Sequence, residues 1–226
     1  MASINNSESE KPESSTWRLA EWFSDLNPDQ LGLFKKYFDE IKKYNKTINL
    51  VSPKTLSSAD LTHFADCILA SRSIRKGMPS QVKEVFDIGS GNGFPGMVFA
   101  VLFPEVKVNL VESDLRKSEF LKNLVITLGL KNVHVLNQNV ETLKDRSVSV
   151  AISRGFAPLS KAILVTRKIF IKGGVYFHLK GEEWASEIAS IPSQLCSFWL
   201  PGLVGEYRLP VGEVKFAVVK TDKIND

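Results

Sequence analysis

Gly89, Gly91 and Gly93 alternate within FDIGSGNGFPG, residues 86–96, a spacing that frees the main chain to turn and lets a ligand approach it. The preceding VKEVFDIG reads as a short strand and the following residues as a helix, the context in which a glycine-rich turn binds nucleotides. Gly91 to Gly96 also fits the dinucleotide pattern GxGxxG. Asp87 argues for another ligand, because a carboxylate suits an ammonium or sulfonium group and sits poorly against pyrophosphate. S-adenosylmethionine carries both cations, so charge favours it over a nicotinamide dinucleotide. Glu112 follows 23 positions after Gly89, at the end of the strand VKVNLVE, where it can accept hydrogen bonds from two ribose hydroxyls. Asn139, Val140 and Glu141 occupy the loop after the next strand and fit an adenine through backbone groups and one apolar face. ISRGFAPL ends a fourth strand with Ser153 and Arg154, near where a methyl acceptor must sit. Arg154 can meet a cofactor carboxylate, a substrate phosphate or a nearby acid, and Lys180 shares its rim.

Other reactive residues offer less. His63, His134 and His178 lie at no metal-ligand spacing, and Cys67 and Cys196 supply neither a metal cluster nor a disulfide framework, so no metal is expected. A composition of 43% hydrophobic and 24% charged residues describes an ordinary globular chain. No apolar run reaches the ~20 residues that span a bilayer, and the N-terminus lacks the charge and apolar core of a secretory signal. The expected setting is cytoplasmic, without membrane contact or a stable protein partner. The net charge of +4 permits a polyanionic partner without demanding one. Lys35, Lys36, Lys42, Lys43 and Lys46 gather near Asp39 and Glu40, either as a solvated helix face or as a phosphate-facing surface.

Residues 1–15 read as a disordered polar tail, 16–77 as a helical cap and 78–226 as the cofactor-binding core. Within the cap, Asn27, Pro28 and Gln30 spell a helix start, followed by an apolar stripe at Leu31, Phe34, Phe38 and Ile41. A further helix is expected from Ser57, with Asp60 completing a capping-box spacing. In the core, strands alternate with helices, one of which is expected from Leu159 to Phe170, ahead of the strand VYFHLKG. QLCSFWL and VKFAVVK read as a closing antiparallel pair. The pattern implies an α/β class: a doubly wound, Rossmann-like methyltransferase fold with a mostly parallel seven-stranded sheet, an antiparallel C-terminal strand and an N-terminal helical cap.

FDIGSGNGFPG, LVESDLRKSEFL, NQNVETL, ISRGFAPL, HLKG and the earlier YNKTINLVS and HFADC together resemble the RsmG family, also called GidB, from about residue 30 to residue 221. The glycine loop marks only the superfamily, whereas the ordered set is family-specific. The resemblance implies methyl transfer from S-adenosylmethionine, leaving S-adenosylhomocysteine, to N7 of a guanine in 16S ribosomal RNA, in the small subunit or an assembly intermediate. It implies cofactor contacts at Gly89 and Phe94, an adenine-side pair at Val140 and Glu141, a ribose-binding acid at Glu112 and a cofactor-site arginine at Arg154. From their place after the fourth strand, Arg154 and Ser153 are expected to bridge cofactor and acceptor. The chain departs from the family pattern at Asn92, Phe94, Cys67 and Gly155, and at Val214–Lys215, where an Arg–His pair is usual. A methyltransferase with another acceptor and a non-catalytic ribosome-binding protein remain the alternatives.

Overall fold

The computed structural model describes residues 17–226; the expected tail, 1–15, lies outside the described residues. The cap opens with α1 (Leu19–Trp22) and α2 (Pro28–Tyr44). The Asn27 side chain accepts the Gln30 N–H and the Gln30 side chain accepts the Asn27 N–H, a reciprocal cap with Pro28 in the first turn. Phe34, Tyr37, Phe38 and Ile41 form the buried face of α2. On its outer face Lys35 and Lys42 both pair with Asp39, and Lys43 pairs with Glu40. These pairings are those of a solvated helix surface.

The next part of the cap differs from expectation. No helix starts from a Ser57–Asp60 capping box. Ser52 caps a short α3 (Pro53–Leu56), and a π-helical segment, Asp60–Ala65, runs into α4 (Asp66–Gly77). Asp60 is committed elsewhere: its buried carboxylate accepts both the Arg18 guanidinium and the Arg18 backbone N–H. A tertiary ion pair has taken the acid that local spacing assigns to a cap.

The core follows as β1 (Glu84–Ile88), α5 (Gly96–Leu102), β2 (Lys107–Val111), α6 (Leu115–Leu128), β3 (Val133–Leu136) and β4 (Val148–Arg154). It closes with α7 (Leu159–Val165), β5 (Phe170–Lys180), α8 (Trp184–Ala189), α9 (Ser193–Cys196), β6 (Trp199–Arg208) and β7 (Lys215–Lys223). The seven strands lie in the order β3-β2-β1-β4-β5-β7-β6, with β7 antiparallel to both neighbours and the other pairings parallel. Gly129 ends α6 in the left-handed conformation, a cap that needs no Cβ.

Two boundaries are corrected. The helix expected to reach Phe170 stops at Val165, where the Thr166 hydroxyl bonds back to the Ala162 carbonyl. Phe170 already pairs with Val148 in the sheet, and the register slips where Gly173–Gly174 bulge inside β5. QLCSFWL is not a strand throughout: α9 occupies its start, and β6 begins only at Trp199, whose ring packs edge-on against Phe170.

The sheet is covered on both faces. Residues from α2, α4, α5 and α6 share one apolar cluster with Val85, Leu110, Ile152 and Val218, so cap and sheet have a common core. The opposite face buries Leu159, Ile163, Ile191 and Leu195. Among the described residues, no helix is long and apolar enough to cross a membrane.

Candidate active site

The loop from β1 to α5 is shaped by backbone that favours glycine: φ is +69° at Gly89, +57° at Gly91 and +99° at Gly93. At Gly93 a Cβ would lie 2.5 Å from the Tyr37 hydroxyl, so the close approach to the cap also demands glycine. Tyr37 donates to the Asn92 carbonyl at 2.7 Å, and the Asn92 amide donates to the Leu50 carbonyl at 3.0 Å. The loop is therefore fastened to the cap on two sides.

Glu112 fastens it to β2. One carboxylate oxygen accepts the Gly91 N–H and the other the Asp114 N–H, both at 2.7 Å. A carboxylate offers about four acceptor positions, so two backbone donors orient it and leave capacity for ligand hydroxyls. Glu112 shares its cleft with Gly89, Gly91, Phe94, Lys117 and Arg154. Through Gly89, Ser113 and Phe156 that cleft continues into a second hollow lined by Val111, Asn139, Val140 and Glu141. The two form one groove over the carboxyl ends of β1, β2 and β4, at the point where strand order reverses. Asn139 accepts the Glu141 N–H, so that backbone donor is already engaged within the loop.

Two expected site residues lie away from the groove, and a third lines it almost fully covered. Asp87 does not line the groove. It is buried behind the glycine loop, with one oxygen accepting the Gly96 N–H and the other without a partner. Burial pushes its carboxyl up to about 7. A Cβ on Gly96 would come within 2.6 Å of that carboxylate, so Asp87 braces the loop from behind instead of facing a cation across it. Ser153 does not project from the sheet edge: it is buried within β4, level with His178. Phe94 does lie at the groove, but its ring is only 2% exposed, stacked between Tyr37 and His63.

Arg154 stands at the groove wall, held from the cap. Its guanidinium donates to Asp66 at 2.9 Å and to the Thr62 carbonyl at 3.2 Å, and lies 5.2 Å from the Phe94 ring centre. It also meets His63 Nδ1 at 2.8 Å. Arginine has only donors, so Nδ1 accepts and the imidazole proton sits on Nε2, facing the Thr55 hydroxyl. Burial and the Arg154 charge lower the His63 pKa to about 3, keeping that acceptor neutral. Asp66 also accepts the Tyr207 hydroxyl at 2.6 Å. Asp66, Tyr207 and Tyr37 were not singled out by sequence reasoning. Only Asp66 carried a signal, as part of HFADC.

Lys180, at the rim, donates to Glu187 at 2.6 Å and to the Ala157 carbonyl. Glu187 in turn accepts the Leu159 N–H. The loop after β4 is thus tied to the segment after β5.

Comparison with known proteins adds a family. Residues 30–198 match the family described as GidB, rRNA small subunit methyltransferase G. A ribosomal RNA small subunit methyltransferase G 3 of Bdellovibrio bacteriovorus is 53% identical over 92% of this chain and 94% of its own length. A ribosomal RNA small subunit methyltransferase G of Neisseria meningitidis is 34% identical over 77% of this chain and 84% of its own. Among solved structures, a SAM dependent methyltransferase from Aquifex aeolicus superposes with a TM-score of 0.55 at 16% identity, covering 81% of this chain and 97% of that one. That likeness concerns the fold.

Proposed function

The chain belongs to the rRNA small subunit methyltransferase G family, and from that premise we propose that it transfers a methyl group from S-adenosylmethionine to N7 of a guanine in 16S ribosomal RNA. The observation that carries the reading is the groove over the strand ends, with Glu112 oriented by two backbone donors at one side and Arg154 at the other. The substrate is 16S RNA within the small subunit or an assembly intermediate, and the setting is the cytoplasm.

The residues fit the cofactor. Glu112 has acceptor capacity for ribose hydroxyls, while Val140 and Phe156 supply apolar walls for an adenine. Gly89 and Gly91 leave the main chain bare where the ligand crosses the loop. When bound, S-adenosylmethionine supplies an electrophilic methyl group on a sulfonium.

Guanine N7 has a lone pair and no proton to lose, so the protein needs no strong base. The structure agrees with that economy: His63 is committed to Arg154, and Asp87 lies behind the loop. The chain's task is to fix two partners at attack distance and to exclude competing water. Arg154 serves this as a positioning residue whose place is set by Asp66 and Thr62.

The test is to incubate the protein with methyl-labelled S-adenosylmethionine and unmodified 30S subunits, then digest the RNA and locate the label by mass. Label on a single 16S guanine supports the reading. Label confined to protein or to a small metabolite overturns the acceptor while retaining the donor.

A further inference from the structure

A second cavity, of about 280 Å³, adjoins the cofactor groove at Arg154, which lines both. Besides Arg154 of β4, its walls come from three further parts of the chain. Asp66 belongs to the cap, Lys180 to the end of β5, and Tyr207 and Phe216 to the β6–β7 hairpin. The Tyr207 and Phe216 rings are near-parallel, 21° apart with centres at 5.9 Å. Asp66 is the one carboxylate among the lining residues, and it is 5% exposed.

We infer that this cavity receives the acceptor base, with Phe216 as its stacking wall and Asp66 as the group that selects guanine. The inference rests on the proposed N7 chemistry and deepens it. Guanine presents two adjacent donors, N1–H and the 2-amino group, which a carboxylate can accept; adenine presents an acceptor at N1. Tyr207 and Arg154 each occupy one position on Asp66, leaving further lone pairs for a base edge.

The charge balance points the same way. The N7 lone pair forms the new C–N bond as the C–S bond breaks and its electrons return to sulfur. The sulfonium charge disappears and the methylated guanine becomes a cation. A carboxylate and an aromatic face suit that product, and Asp66 also offsets the charge of Arg154 beside it. The hairpin position gives Val214–Lys215 a meaning: these residues immediately precede the stacking wall, and Lys215 pairs with Glu206 across the hairpin.

The test compares wild type with Phe216→Leu, which keeps apolar bulk without a π-face, and Phe216→Trp, which keeps the face. S-adenosylmethionine affinity is read by calorimetry, transfer to unmodified 30S subunits by label, and base contact by saturation-transfer NMR with GMP and AMP. The leucine variant should bind S-adenosylmethionine as wild type does, lose roughly 5- to 150-fold in transfer as stacking energies imply, and lose contact with GMP. Tryptophan should restore both, and wild type should contact GMP in preference to AMP. Asp66→Asn should erase that preference. Leucine at wild-type transfer, or GMP and AMP contacted alike by wild type, overturns the inference. A wild-type chain that transfers nothing to RNA yet contacts GMP through Phe216 overturns the methyltransferase reading and supports the base pocket on its own.

Discussion

Asp87 is fully buried and Arg154 is half-buried at the groove wall, and the two respond to opposite perturbations. The Asp87 carboxyl is raised by burial to about 7, above its ordinary value of 3.8, so between roughly pH 4 and 7 the folded chain holds a proton that the unfolded chain has lost. Stability from this group therefore falls as pH rises through that window and levels off above it. Asp87→Asn should remove the fall, which is about 4 kcal/mol between pH 4 and 8 in denaturant titrations. His63 acts in the other direction below about pH 6.5, so the comparison with the asparagine variant, rather than the raw wild-type curve, isolates Asp87. Identical pH profiles for the two proteins would contradict the assignment. Arg154→Ala leaves the Asp66 carboxylate buried without its cation. It should destabilise by about 3–5 kcal/mol, read as a lowered denaturation midpoint.

The glycine loop and α2 form the element pair on which the site depends. Gly93→Ala would put a Cβ into the Tyr37 hydroxyl and force a side chain onto a left-handed backbone. The variant should lose cofactor affinity by calorimetry at least tenfold, because the Tyr37 bond to Asn92 and the loop shape fail together. Asn27→Ala, at the far end of the same helix, should cost about 1 kcal/mol of stability and leave cofactor affinity unchanged. These elements were unequally legible. The α2 cap was readable because Asn27, Pro28 and Gln30 interact within four residues, and the glycine loop because its spacing reflects its own backbone. The Ser57–Asp60 cap misled because Arg18, 42 positions away, takes Asp60. The bond between Arg154 and Asp66 spans 88 positions, a separation at which no local pattern pairs them. Asp87 misled for a related reason: its charge suggested a cationic ligand, whereas only the packing reveals that its oxygen turns toward Gly96.

At the scale of the whole molecule, the cap and one sheet face bury their side chains in a single cluster, and Arg154 links them again at the site. A lid with its own core would open without disturbing the sheet, but this cap has no such independence. Thermal unfolding should therefore give one calorimetric transition, with near-ultraviolet and far-ultraviolet signals coincident. A separate early transition would contradict the shared core. The same construction explains how residues from the cap, β4, β5 and the C-terminal hairpin come to surround Arg154 although they are scattered from Thr62 to Phe216. The family likeness and the groove then meet in one chemical claim, methyl transfer to N7. N7-methylguanosine differs from other methylated guanosines in that borohydride reduction followed by aniline breaks the RNA chain at the modified nucleotide. The decisive measurement is that cleavage, applied to 16S RNA from unmodified 30S subunits incubated with this protein and S-adenosylmethionine. A single break that requires both protein and cofactor is the predicted result. Intact RNA after confirmed methyl incorporation would place the methyl group elsewhere and contradict the account.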